Sequence, residues 1–183
     1  MQAARGASLT VSDPGRGSAV PTHRRRSIVV FGLVAALAYA VDLASKQWAV
    51  AHLTGRPPRH VVGTVFQLEL VRNSGAAFST GTSYTVVLSC VAICAALAVL
   101  WVARRLGSTG WAIGLGFLLA GVCGNLTDRL FREPGVMRGH VVDFMALPHW
   151  PIFNVADMCI DVAAAFIVIQ AMRGIHVAGT RRR

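Results

Sequence analysis

Four long apolar stretches, near residues 27–50, 83–103, 111–130 and 155–173, set the rhythm of the chain. Each comes close to the ~20 residues a helix needs to cross a bilayer. Between the first two, Thr64-Val65-Phe66-Gln67-Leu68-Glu69-Leu70-Val71 alternates apolar with polar residues, which predicts a strand. It runs into Asn73-Ser74-Gly75-Ala76-Ala77-Phe78, where Gly75 and small neighbours permit a tight turn or a close backbone approach. The connection between the last two stretches carries Pro134-Gly135, then Pro148, Trp150 and Pro151, with Trp150 placed as an interfacial aromatic. The pattern predicts an all-α polytopic membrane protein with four transmembrane helices. Residues 1–26 read as a disordered basic arm, 27–175 as one membrane domain and 176–183 as a basic tail.

The first stretch has a second reading. Basic residues, an apolar run and Ala38-Tyr39-Ala40 resemble a secretory signal peptide with its cleavage site. Apolar character resumes through Trp48 and Val50, however, so the segment is long enough to span and is expected to be retained.

Composition agrees with the pattern. Hydrophobic residues make up 54% of the chain and charged residues 14%, against roughly 45–50% and about 25% in soluble domains. A water-soluble fold would lack the polar residues to cover its surface. The net charge of +10 raises the question of nucleic acid. The basic residues gather at the chain ends and at one interhelical turn, with no basic face interleaved with aromatics, so a nucleic-acid partner is not expected. Eleven arginines fall on the side of the N-terminus and six on the other; the positive-inside rule then puts both termini in the cytoplasm. Cys90, Cys94, Cys123 and Cys159 all lie in apolar runs and read as small buried hydrophobes, not as metal ligands or disulfides.

Charge scarcity narrows the search for chemistry. Only eight acidic residues exist, and Asp42, Asp128, Asp157 and Asp161 fall within or at the edge of apolar segments. An ionisable group there costs about 2.5–3.5 kcal/mol at the bilayer centre, so such residues mark function. Asp42 and Lys46, the only lysine, share a helical face four residues apart. Asn125 and Arg129 share another, with Asp128 beside them and Gly121 and Gly124 allowing close approach. Asp143 is embedded in Val141-Val142-Asp143-Phe144. Asn154 is a good N-cap and puts Asp157 at N3 of the last helix, the place of a capping-box acid.

Two carboxylates brought together cannot both ionise easily, so they share a proton and can divide acid and base roles. Spacing alone leaves Asp128 and Asp143 both eligible as the partner of Asp157. The chain has no Gly-x-Ser-x-Gly elbow, His-Glu-x-x-His motif or phosphate loop. Ser45 and Lys46 are adjacent but point about 100° apart on a helix, which argues against a serine–lysine pair. His140 stands alone.

Five blocks then fall into one order: Asp42-Leu43-Ala44-Ser45-Lys46, Asn73-Ser74-Gly75-Ala76-Ala77-Phe78, Gly124-Asn125-Leu126-Thr127-Asp128-Arg129, Val141-Val142-Asp143-Phe144 and Phe153-Asn154-Val155-Ala156-Asp157. The set resembles the signature blocks of the lipoprotein signal peptidases (signal peptidase II). The resemblance implies a membrane aspartic endopeptidase of the bacterial cytoplasmic membrane, with a small extracytoplasmic β-sheet and its site at the outer face. It implies a diacylglyceryl-modified prolipoprotein as substrate, cleaved just before the lipidated cysteine, and inhibition by globomycin-type cyclic peptides. Asp143 and Asp157 take the catalytic positions. Asp42, Lys46, Asn73, Gly124, Asn125, Arg129, Asn154 and Ala156 take positions that shape the site or touch substrate, with Asp128 supporting Arg129. No cofactor and no metal are implied; membrane lipids and a monomeric state are expected. The long arm exceeds the family core, and Thr127 stands where a larger apolar residue is expected. The rival classes are a small transporter or proton pathway and a passive scaffold. Acids near one end of the helices and the lack of repeated halves favour hydrolysis.

Overall fold

The computed structural model describes residues 22–75 and 83–180. Residues 1–21, 76–82 and 181–183, among them most of the arm and Ala76-Ala77-Phe78, lie outside the described residues. Helix α1 spans Thr22–Leu53, α2 Ser83–Ala103, α3 Thr109–Phe131 and α4 Val155–Met172. All four are long and apolar enough to cross a membrane. Strands β1 (Arg59–Val62) and β2 (Phe66–Asn73) follow α1, and β3 (Val141–Ala146) precedes α4. They form one antiparallel sheet in the order β1-β2-β3.

The outward faces of the helices are as apolar as their interiors. Leu37, Val41, Val91 and Leu97 are each more than half exposed, which suits lipid and not water. With no hydrophobic force between helices in lipid, close packing must come from small residues. α3 supplies them. A Cβ on Gly121 would run into the Ala156 carbonyl oxygen and Ile160 of α4, and one on Gly124 into the Asp42 carboxylate of α1. α3 therefore holds the centre, packed against each of the other three helices.

The sheet rests on the end of α1, where Val142 and Phe144 of β3 pack with Ala49 and Leu53 in a buried cluster. In the β2–β3 register Val71 faces Asp143 and Asn73 faces Val141. Asn73 and Asp143 are thus diagonal neighbours on one face of the sheet.

Several expectations shift. The strand expected over 64–71 is Phe66–Asn73, because Gly63, at φ 50°, turns the chain through Thr64 and Val65 after the unexpected β1. α1 begins at Thr22, so His23 to Arg26 are helical and not part of an arm. The segment 175–180 is pinned instead of trailing away: the amides of Gly107 and Ser108 donate to the Val177 carbonyl at 2.9 and 3.2 Å, and Trp111 Nε1 donates to the Ile175 carbonyl at 2.7 Å. Of the cysteines only Cys159 is buried, while Cys90 and Cys94 are exposed on the apolar outer surface of α2. In a spanning helix the outer surface is itself apolar, so a thiol is as well placed there as in the core.

The α3–α4 contact makes a direct prediction. Gly121→Ala should lower stability by about 1–3 kcal/mol by overpacking, read as a fall in Tm of the detergent-solubilised protein. An unchanged Tm would show that the two helices are not held at this distance.

Candidate active site

The polar residues singled out by the sequence meet at the sheet end of the bundle, around one ammonium. Lys46 of α1 is fully buried. Its Nζ lies 2.9 Å from Asp42 Oδ2 and 3.0 Å from Asp128 Oδ2, and donates to Asn125 Oδ1 at 3.0 Å. The ammonium thus makes one hydrogen bond, to Asn125, and ion-pair contacts to two carboxylates, and Asp42 Oδ2 has no hydrogen-bond partner among the described residues. One cation between two carboxylates meets the requirement that buried charge be paired.

Each acceptor ties the cation to another part of the fold. Asp42 Oδ1 accepts the Ala156 amide at 2.8 Å, fixing the first turn of α4. Asp128 Oδ2 accepts the Val142 amide at 3.2 Å, fixing β3, and its Oδ1 is paired with Arg132. Asn125 is oriented by elimination: because Lys46 only donates, its Oδ1 must face Lys46 and its Nδ2 must face away. That Nδ2 donates to Asp157 Oδ1 at 2.8 Å.

Asp157 and Asp143 are joined by Asn154. As the N-cap of α4, Asn154 accepts the Asp157 amide on its side chain at 3.0 Å and donates its own backbone N–H to Asp157 Oδ2 at 3.1 Å. This reciprocal capping box lies at the positive end of the α4 dipole. The same side chain donates from Nδ2 to Asp143 Oδ1 at 2.6 Å and to Asn125 Oδ1 at 3.2 Å. Asn73, across the sheet, donates to Asp143 Oδ2 at 2.9 Å. Its Oδ1 accepts the Gly75 amide at 2.8 Å, which turns the chain after β2.

The two carboxyls sit in different surroundings. Asp143 is 3% exposed, and burial pushes its pKa up to about 6. The Asn73 and Asn154 hydrogen bonds oppose that rise, and the nearby Asp157 charge adds to it. The Asp157 carboxyl instead stands at a helix start and accepts two N–H groups, from the Asn125 side chain and the Asn154 backbone. Both line a cavity of about 480 Å³ whose walls include Asn73, Leu147, Trp150, Phe153 and Met158. A neighbouring space of about 440 Å³, walled by Val71, Arg72, Ser74 and Gly75, shares Asn73 and Asp143 with it. A larger apolar groove of about 540 Å³ lies between α1 and α3 around Gly32, Ala36 and Leu119, away from the charges. Size alone therefore does not locate the chemistry.

The structure brings together Asp42, Lys46, Asn73, Asn125, Asp128, Asp143, Asn154, Ala156 and Asp157, with Gly124 making room against Asp42 and Ala156. Asp128 faces Lys46 and β3, away from the Asp143–Asn154–Asp157 chain. Its arginine is Arg132 and not Arg129. Sequence reading missed Arg132, although its i,i+4 spacing from Asp128 was available. Arg129 points toward the turn after β2, with Nη2 3.8 Å from where a Gly75 Cβ would stand. Its Nη1 is buried without a hydrogen-bond partner among the described residues. Thr127 is accommodated because its hydroxyl donates to the Cys123 carbonyl and pairs with the Tyr39 hydroxyl at 2.9 Å. Asp161, one turn beyond Asp157, also borders the cavity.

Four helices long and apolar enough to span make this a multi-pass membrane protein, with one carboxyl on β3 and one on α4 at the wall of an open cavity. The family model described as signal peptidase (SPase) II matches residues 34–173, and the chain belongs to the signal peptidase II family. It is 44% identical to a lipoprotein signal peptidase of Rhodococcus jostii, over 93% of this chain and 86% of the relative. It is 43% identical to one of Mycobacterium avium, over 91% and 92%, and 41% identical to one of Mycolicibacterium smegmatis, over 97% and 76%. Two solved bacterial membrane enzymes share the fold, with TM-scores of 0.69 and 0.66 at 22% and 23% identity. They cover 81% of this chain, and 94% and 88% of their own. The activity is removal of the signal peptide from prolipoproteins.

The network predicts that Lys46→Met, which keeps the length but removes the charge, leaves the buried Asp42 carboxylate without a cation and Asp128 with Arg132 alone. It should cost about 3–5 kcal/mol, measured by thermal or denaturant unfolding in detergent. A loss below about 1 kcal/mol would show that Lys46 does not hold the cluster together.

Proposed function

We propose that Asp143 and Asp157 are the catalytic pair, and that the chain cleaves diacylglyceryl-modified prolipoproteins immediately before the lipidated cysteine. The observation that carries this reading is the Asn154 side chain, which hydrogen-bonds Asp143 while its amide and cap hold Asp157. Burial favours the proton on Asp143, and the Asp157 carboxyl accepts N–H groups from Asn125 and Asn154 at the start of α4. Asp157 takes a proton from a water whose oxygen bonds to the scissile carbonyl carbon. Asp143 gives its proton to the carbonyl oxygen as charge develops there. When the tetrahedral intermediate collapses, the C–N bond breaks, the leaving nitrogen takes the proton held by Asp157, and the hydroxyl proton returns to Asp143. Water is consumed and both carboxyls end as they began.

Arg129 supplies further donors. Its buried Nη1, without a partner among the described residues, suits a peptide carbonyl of the bound signal peptide. The exposed Trp150, at 65%, sits where the membrane interface would lie. The arginine distribution supports cytoplasmic termini and a site on the outer face, in a protein that acts as a monomer.

The test is cleavage of a diacylglyceryl-modified lipobox peptide by purified protein. Asp143→Asn and Asp157→Asn should each lower turnover at least about a hundredfold while leaving Tm within a few degrees of wild type. Turnover close to wild type in either variant would remove that residue from the pair.

A further inference from the structure

The far end of the bundle concentrates charge that the site does not use. Arg24, Arg25 and Arg26 stand at the start of α1, and Arg104 and Arg105 follow the end of α2. Cations at a helix N-terminus face the positive end of its dipole, so three of these charges are unfavourably placed unless an anion joins them. Among the described residues none of the five is paired with a carboxylate; the ion pairs belong to Lys46 and Arg132.

Between the two helices lies a groove of about 320 Å³, walled by Ile28, Phe31, Leu100 and Ala103, with Arg24 and Arg104 at its mouth. α2 packs on α3 and touches α1 only marginally, so the groove opens sideways toward the bilayer. Arg24 Nη2 donates to the Arg104 carbonyl at 3.1 Å, which carries the guanidinium across the gap and uses one of its five N–H groups. Ile28 and Leu100 remain 41% and 47% exposed.

We propose that this groove binds one anionic phospholipid, with its phosphate between Arg24 and Arg104 and an acyl chain along Ile28, Phe31 and Leu100. Free phosphate would match the guanidiniums but leave the apolar walls empty. A neutral lipid would cover the walls but leave the arginines unbalanced. Only an amphiphile with a negative head satisfies both, and basic pockets between spanning helices hold anionic head groups in this way. The guanidinium fork also suits phosphate oxygens two at a time. The groove is at the opposite end from Asp143 and Asp157, so the site is independent of the proposed hydrolysis.

The test is native mass spectrometry of the detergent-purified full chain, titrated with phosphatidylglycerol or with phosphatidylcholine of the same acyl chains. The wild type should bind phosphatidylglycerol more tightly. Arg24→Gln with Arg104→Gln should weaken it about fivefold per arginine, leaving phosphatidylcholine unaffected. Arg105→Gln with Arg173→Gln removes equal charge from the same end outside the groove and should retain wild-type affinity. Ile28→Trp, which fills the groove but keeps both arginines, should also lose phosphatidylglycerol, and it carries the test if the glutamine pair fails to fold. Equal affinity for the two lipids, equal losses in the two double variants, or displacement of phosphatidylglycerol by inorganic phosphate would each overturn the proposal.

Discussion

The buried ammonium of Lys46 is the constraint on which the rest of the site depends. A cation inside a membrane domain is tolerated only when it is paired, and Asp42 and Asp128 pair with it while Asn125 accepts its hydrogen bond. Those groups come from α1 and α3, and their carboxylates also accept the amides of Ala156 at the start of α4 and of Val142 in β3. One charge thus fixes the relative positions of three helices and the sheet. In lipid, where helix association gains little from apolar burial, such a cluster does what a hydrophobic core does in water.

From this cluster the order passes outward through two asparagines. Asn125 converts the position of Lys46 into an aimed N–H for Asp157, and Asn154 converts the helix cap into one for Asp143. Amides suit this task because each offers a donor and an acceptor without adding charge. The result is two carboxyls held near each other in unlike surroundings, one buried in the sheet and one at a helix start. Unlike surroundings are what push two acids toward different protonation states.

Much of this was legible in the sequence. Four apolar runs gave the spanning helices to within a few residues, apart from α1, which extends back to Thr22. Asn154 with Asp157 announced a helix cap that the structure contains in full. The i,i+4 spacing of Asp42 and Lys46 announced their ion pair. What could not be read was long-range. Nothing in the local pattern says that Asp128 turns toward Lys46 while Asp143 turns toward Asn154, because that depends on how β3 pairs with β2. The arginine that pairs with Asp128 is Arg132, because adjacent helical residues diverge by about 100° and a residue four positions on returns to the same face. The β1–β2 hairpin hinged at Gly63 was hidden for a similar reason: its turn slides the strand two residues along an alternation that suited several registers.

The account stands on two carboxyls that divide acid and base roles, with the proton on Asp143. Its most direct measurement is the pH dependence of kcat/KM on a lipidated lipobox substrate. A carboxyl raised to about 6 is protonated below that pH and loses its proton above it, so activity that needs the proton must fall as pH rises through that region. A fall in kcat/KM as pH rises through about 6 is the predicted result. A rate that stays level from pH 5 to about 8 would contradict the shared-proton pair.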